Sequence, residues 1–334
     1  MIPSSRSLLV ALALPLLAAP AVADVKRLGE LNTAQIRALD RAKTVVLLPG
    51  GILEEHGPYL PAWTDGILSE RMTAELAQGI AAAKKDWTVL VFPQVAVGAS
   101  GYNEVGGHFT FPGTYAVRPS TLRAVFMDLA SELGDQGFRW IFVVHVHGAP
   151  RHNRVLDQAG DYFHDTYGGR MVHVWGLLPV VSAWGKELES LSAEVRKEEG
   201  IALHAGMDET SLMLHLAPEL VSPERAQAPV VTGKTLEESI ETARAADWPG
   251  YLGSPRLANA ELGARIWRGL SGAALTHALQ ILDGADPTKL PRFSDYMEKN
   301  EHFAEWIRAA EARDAELEVK QRAWLEKSAG KAGR

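Results

Sequence analysis

The run Glu54-Glu55-His56-Gly57-Pro58-Tyr59-Leu60-Pro61, with Asp65 close behind it, follows the apolar stretch Thr44-Val45-Val46-Leu47-Leu48-Pro49-Gly50-Gly51. Glu54 and His56 are thus a carboxylate and an imidazole, two residues apart, on a glycine-rich turn that leaves what reads as a buried strand. Ionisable groups at the carboxyl end of a core strand are costly to desolvate unless something pairs with them, and a divalent metal is the usual partner. The competing reading is a solvated loop, in which Glu54 caps a helix and His56 lies at the surface.

Two further clusters carry the same kinds of donor. Trp140-Ile141-Phe142-Val143-Val144 runs into His145-Val146-His147-Gly148-Ala149-Pro150, so two imidazoles alternate along a strand and share one face. A parallel sheet gathers its strand carboxyl ends at one edge, where His147 can meet Glu54 and His56 without long loops. His204-Ala205-Gly206-Met207-Asp208-Glu209-Thr210-Ser211 opens another apolar run. There Glu209 is either an acid favoured by a helix amino terminus or, together with His204, a metal ligand or proton carrier. His108 stands in Gly106-Gly107-His108-Phe109-Thr110-Phe111-Pro112-Gly113-Thr114, whose glycines suit either a loop that closes over substrate or a plain turn. His145 and His152 are expected in outer positions, fixing ligand rings or supporting structure.

The elements that must position these groups alternate. Residues 45–48, 88–92, 140–146 and 171–175 read as buried strands, and 64–83, 119–136 and 152–163 as helices with apolar residues at three- and four-residue spacing. This predicts an α/β chain with a largely parallel central sheet and sites beyond the strand carboxyl ends. After Pro287 the composition shifts to Glu, Lys, Arg and Ala, with Trp306 and Trp324 as isolated large apolar groups. That segment reads as a helical tail packed on the domain, or alternatively as a partner contact. The expected organisation is a leader over 1–23, one domain over 24–290 and a charged helical extension over 291–334.

Arg6, the apolar residues Leu8 to Leu17 broken by Pro15, and Ala21-Val22-Ala23 before Asp24 predict a secretory leader cleaved after Ala23, and hence a periplasmic or secreted protein. The apolar stretch is shorter than the roughly 20 residues of a membrane span, and no span is expected in the mature chain. A formal net charge of −7 repels phosphate backbones and argues against nucleic acid as a partner. The sequence has no cysteine, which excludes disulfides, thiolate ligands and thiol nucleophiles.

Taken together, the Gly50 to Pro61 run with Asp65, Phe111-Pro112-Gly113-Thr114, His145-Val146-His147-Gly148 and the His204 to Ser211 run resemble the creatininase (creatinine amidohydrolase) family in order and spacing. The resemblance covers roughly Val45 to Val221 and implies a three-layer αβα fold, two divalent metals and hydrolysis of C–N bonds in cyclic or linear amides. It makes Glu54 and His147 ligands of one metal, His56 a ligand of the other, and Asp65 the bridging carboxylate. Glu209 would complete a metal shell or act in catalysis. His204 would orient the carbonyl or carry a proton to the departing nitrogen. His108, Tyr59 and Trp175 are the candidate pocket residues. Oxygen and imidazole donors without thiolate suit Zn or Mn, with Fe as a further option, and two such ions would generate a bridging hydroxide near neutral pH. A homo-oligomer, hexameric in many members, is also implied.

The chain departs from the pattern at defined positions. Gly148 and Ala149 stand where creatinine-hydrolysing members have an aromatic residue and a glutamate ligand, Gly200 stands where an aromatic wall is expected, and Tyr59 replaces a histidine. A flat creatinine ring gains affinity by stacking on such walls, so these changes argue against creatinine as the substrate, and Glu209 is the natural substitute for the missing acid. Two classes remain: an exported dinuclear hydrolase of a small amide, lactam or formamide, and a periplasmic protein that binds metal or small ligands on the same fold without turnover. A phosphoesterase ranks below both, since Arg151 is the only cation near the motifs.

Overall fold

The computed structural model describes residues 24–332; the expected leader and its cleavage point after Ala23 lie outside them. Five parallel strands form one sheet in the order β1-β3-β2-β4-β5, with β1 at Asp24–Arg27, β2 at Thr44–Pro49, β3 at Thr88–Val91, β4 at Trp140–Val144 and β5 at Arg170–His173. The register runs Val45 opposite Val89 and Val46 opposite Ile141. Residues alternate between two cores. Val45, Leu47, Phe142 and Val144 face one, and Val46, Leu48, Ile141 and Val143 face the other. A strand buried on both faces must be apolar throughout, which is why β2 and β4 read as continuous hydrophobic runs.

A short α1 (Thr33–Arg37) precedes β2. The second core is covered by α3 (Pro119–Asp135) and α4 (Pro150–Tyr167), each opened by a proline at a position where its missing N–H costs nothing. The first is covered by α2 (Thr64–Ala83), α5 (Leu178–Glu189), α7 (Met207–Leu216) and α9 (Ala260–Leu282), with the short α6 (Ala193–Glu199) at its margin, while α8 (Leu236–Ala243) packs in a separate cluster through Leu236 and Ile240. These are the three layers of an αβα fold. Beyond them, α10 (Phe293–Glu298) and α11 (Ala304–Ala332) follow a turn. The tail is docked on the domain: Phe303, Trp306 and Ala310 are buried with Val105 and Ile240, whereas Trp324 is exposed.

Two expected strand ends are corrected, and the one over 171–175 stops at His173. The strand expected over 140–146 ends at Val144, because the chain leaves the ladder and the Val146 N–H donates to Ser69 Oγ of α2 (2.8 Å). The two histidines therefore do not share a face as alternate strand residues. His145 packs edge-on to Phe126 of the α3 layer (5.0 Å), while His147 turns to the acids of the opposite loop. His152 sits between them, at 5.4 Å from His145 and 4.9 Å from His147.

Candidate metal centre

The site lies beyond the carboxyl ends of β2 and β4, where the loop from Gly50 to Trp63, the start of α2, the β4–α4 loop and the start of α7 converge. Gly51 has φ +154° and a side chain there would strike the Gly66 backbone at 2.8 Å. Glycine at both positions lets the loop lie against the first turn of α2. That contact sets Asp65 beneath Glu54 and His56. Ser69 then ties α2 to the β4 loop: its hydroxyl donates to the Asp65 carbonyl (2.7 Å) and accepts from Val146. Asn153 holds the same loop by donating to the carbonyls of His147 (2.9 Å) and Ala149 (2.8 Å), and Trp175 Nε1 adds a bond to His147 O (3.0 Å).

Three triads result. Glu54, Asp65 and His147 offer ligand atoms within 4.8 Å of one another, and so do His56, Asp65 and Glu209, and Glu54, His56 and His204. Asp65 belongs to two of them through different oxygens: Oδ2 is 2.8 Å from His147 Nδ1, and Oδ1 is 3.4 Å from His56 Nε2. Glu54 Oε2 is 3.2 Å from His147 Nδ1, and Glu209 Oε2 is 4.0 Å from His56 Nε2. The outer ring nitrogens are anchored on backbone, His147 Nε2 on Ser100 O (3.1 Å) and His56 Nδ1 on Glu54 O (3.1 Å). Such anchoring fixes the tautomer that aims the free nitrogen inward. Ser100, at φ +63°, and Ala205, at φ +51°, are non-glycine residues in the left-handed region at the rim, a cost that concentrates at functional sites.

Four carboxylates, those of Glu54, Glu55, Asp65 and Glu209, share this buried space. With neutral imidazoles they would carry several uncompensated negative charges, which is expensive in a low dielectric. The titration behaviour expresses that load. Burial pushes the Glu55 carboxyl up to about 8, helped by the Glu54 charge, and burial likewise pushes Glu209 up to about 8, with Asp208 and Asp65 adding to it. Burial opposes the charged form of His56, yet Asp65 and Glu209 raise it to about 10. His147 is raised well above its ordinary range against burial by Glu54 and Asp65, and Asp65 is held well below the carboxylate range by His147 and His56. His56 Nε2 and Asp65 Oδ2 have no well-formed hydrogen bond despite these close neighbours. An inward set of carboxylate and imidazole atoms that is otherwise balanced only by taking up protons fits divalent cations of borderline or hard character.

Residues flanking the donors are fixed as well. Thr114, of the Phe111-Pro112-Gly113-Thr114 motif, accepts from Glu55 N (3.0 Å) and donates to Glu55 Oε2. That motif therefore holds Glu55 in place. His204 Nε2 meets the Glu55 carbonyl (2.5 Å), and its ring stacks on Tyr102 (5.1 Å). Burial, opposed by Glu54 and reinforced by His56, lowers it to about 4, so the imidazole is neutral at pH 7. Glu209 Oε2 accepts from Ala205 N at the head of α7. His152 accepts from Ala99 N through Nδ1 (3.2 Å) and stands behind His147, while His145 belongs to none of the triads.

A cavity of about 320 Å³ opens from this centre, lined at one end by Glu54, Asp65, His147, His204 and Glu209. Of the candidate pocket residues, Trp175 is part of its wall, and Tyr59 and His108 are not. Tyr59 packs edge-on to Tyr251 (5.6 Å). His108 bonds Ala243 O through Nε2 (3.0 Å) and stacks on Trp248 (6.1 Å). Its loop is pressed against α8: a side chain at Gly106 would meet the Ala243 carbonyl at 2.1 Å. Sequence reasoning missed Trp184, Phe293, Met297, Phe303 and Trp306, which line the same cavity. The aromatic residues after Pro287 were visible as isolated apolar groups in a charged segment, with nothing to mark which surface they meet.

Comparison with known proteins adds the following. The family model described as creatinine amidohydrolase matches residues 29–277. A mycofactocin precursor peptide peptidase of Mycobacterium ulcerans (strain Agy99) is 27% identical over 272 residues, covering 78% of this chain and 94% of the relative. A creatinine amidohydrolase of Pseudomonas putida is 28% identical over 256 residues, covering 71% and 90%. The solved structure described as creatininase Mn superposes with a TM-score of 0.56 at 24% identity, covering 77% of this chain and 98% of that one, which shows a shared fold.

Proposed function

This chain belongs to the creatininase family, and from that premise we propose that it is a metal-dependent amidohydrolase cleaving the C–N bond of a small cyclic or linear amide other than creatinine. The observation that carries the reading is Asp65, whose two oxygens serve two overlapping donor triads. Glu54, Asp65 and His147 would hold one divalent ion, Zn or Mn by donor type, and His56, Asp65 and Glu209 a second, with Glu209 replacing the acid absent at Ala149. Such a pair supplies Lewis acidity towards a carbonyl oxygen and a water acidified to near-neutral pKa.

The chain's own residues do the rest. His204, held neutral by burial with its ring fixed between Tyr102 and His56 and its Nε2–H spent on the Glu55 carbonyl, keeps Nδ1 as a base that would take up the proton released by the attacking water and return it to the departing nitrogen. Asn153, Ser69 and Trp175 fix the His147 loop, so the donors need little reorganisation. Export belongs to the same proposal, supported by Arg6, the Leu8 to Leu17 stretch and Ala21-Val22-Ala23; homo-oligomerisation is supported by the family resemblance.

The test is turnover. Metal-loaded protein is screened against cyclic amides, formamides and short linear amides for amine release, beside Asp65→Asn. Release that falls by orders of magnitude in Asp65→Asn is the expected result. Absence of turnover across the panel, with metal bound, would favour the non-catalytic binding protein on the same fold.

A further inference from the structure

The donors occupy only one end of the cavity. Phe293, Met297, Phe303 and Trp306 form a further wall of it, joined by Trp175 and Trp184. All four residues of that wall lie past residue 277, where the family match ends. It is a fixed wall. The N–H of Phe293 donates to Gly176 O (2.8 Å) and that of Leu178 to Pro291 O (2.9 Å), crossing to the loop before α5. Ser294 Oγ donates to Asp157 Oδ2 (2.6 Å), and Arg292 Nη1 to Asp161 Oδ2 (2.8 Å). Arg151 lies between Glu104 (3.5 Å) and Asp314 of α11, which ties the extension to the domain at a further point.

The rest of the lining differs from the donors in chemistry. Beyond the five donor residues it is apolar except for Ser100, Tyr102 and Asp208, whose Oδ2 accepts from Trp184 Nε1 (2.9 Å), and no Lys or Arg is among the described lining residues. A charged carboxylate on the substrate would therefore have no cationic side chain to meet, while an aromatic or branched aliphatic group would be desolvated against indole and phenyl rings.

We propose that the C-terminal extension determines specificity: the substrate is an amide bearing an uncharged aromatic or branched aliphatic group, which the wall of Phe293, Met297, Phe303 and Trp306 receives while the amide meets the donors. This rests on the amidohydrolase reading for the identity of the reacting group, but the apolar preference itself does not require metal.

The full-length protein, metal-free and Zn-loaded, is titrated calorimetrically with acetohydroxamate, 3-phenylpropanohydroxamate and the hydroxamate of succinic acid. The ratio of affinities between the phenyl and methyl probes reads the wall, and the ratio between Zn-loaded and metal-free protein reads the metal centre. The phenyl probe is expected to bind about 30-fold or more tighter than acetohydroxamate in the Zn-loaded form, and the anionic probe no tighter than acetohydroxamate. Trp306→Ala is expected to cut the phenyl-to-methyl ratio by about 10-fold. Because losing a buried tryptophan can compromise folding, Gly185→Leu is the second variant. Gly185 lines the cavity on α5 with nothing within 4 Å of a Cβ placed there, so the leucine gains helix propensity and intrudes on the apolar volume, again lowering the ratio. A phenyl-to-methyl ratio near one in both forms, or preference for the anionic probe, overturns the proposal. A ratio that persists while zinc changes nothing upholds the wall and sinks the metal reading.

Discussion

Glu209→Gln isolates the carboxylate proposed to take the place of the acid absent at Ala149. The substitution is isosteric, and the glutamine oxygen can still accept from Ala205 N at the head of α7. What it loses is a negative charge 4.0 Å from His56 Nε2. Unit charges at that range interact by about 4 kcal/mol at an effective dielectric near 20, and a divalent ion about doubles the figure. Two effects offset it. Burial, aided by Asp208 and Asp65, pushes the Glu209 carboxyl up to about 8, so at pH 7 a proton must be displaced at about 1.4 kcal/mol per pH unit. The amide oxygen also keeps part of the ligand dipole. The net loss is about 2–4 kcal/mol, or about 30- to 1,000-fold in affinity for one ion and little for the other. Titration of metal-free protein with Zn in the presence of a competing chelator measures both steps. The expected outcome is one step retained and one weakened to that extent. Two steps within about 3-fold of the wild-type values would refute the assignment of Glu209.

Three further outcomes follow from the same geometry. Ser69→Ala leaves the buried Val146 N–H without its acceptor and is expected to lower unfolding free energy in urea by about 1–3 kcal/mol, with Zn affinity falling by about 10- to 100-fold as His147 loses its register with Asp65; a variant with wild-type Zn affinity would show that this tie does not position the ligand. Thr114→Val removes the hydroxyl that bonds Glu55, and its chelator-resistant Zn is expected to fall while helix content by circular dichroism is kept. Burial raises the Asp157 carboxyl to about 7, against the favourable bond from Ser294 and the charges of Arg292 and Arg154. A raised folded-state pKa gives stability that is fully present below the ordinary carboxylate range and lost as pH rises through 7, so Asp157→Asn should flatten the fall between pH 5 and pH 8 by about 2–3 kcal/mol. Identical pH slopes for the two proteins in urea titrations would contradict that account.

The half of the fold that carries Glu54, His56, Asp65 and His147 is legible in the sequence because β2 and β4 are buried on both faces and must be apolar throughout, with their ionisable residues held back to the strand ends. α2 is legible for a related reason: its apolar residues repeat at helical spacing on one side only. The end of β4 was not, because whether Val146 bonds a neighbouring strand or Ser69 depends on a residue 77 positions away. The sequence reading gives His147 the ligand role and His145 an outer one, but as alternate strand residues they would share a face, and only the departure of the chain from the ladder separates them. Tyr59 and His108 illustrate the converse: they sit in motif segments, yet Tyr251 and Trp248, distant along the chain, draw them away from the cavity. The wall from Phe293 to Trp306 could not be placed, since an isolated aromatic residue in a charged segment has no local partner to reveal which surface it covers. Glu55 stands beside the donors in plain view, but its bond to Thr114 joins two motifs that are adjacent only in the folded chain.

Asp65, shared by two donor triads, is proposed to lie between two cations, and the number of ions bound decides it. Protein loaded with Zn, freed of weakly held ions by gel filtration and measured by native mass spectrometry should carry two ions per chain, and Asp65→Asn, folded by circular dichroism, no more than one. One ion or none in the wild-type chain, or two retained in Asp65→Asn, would contradict it.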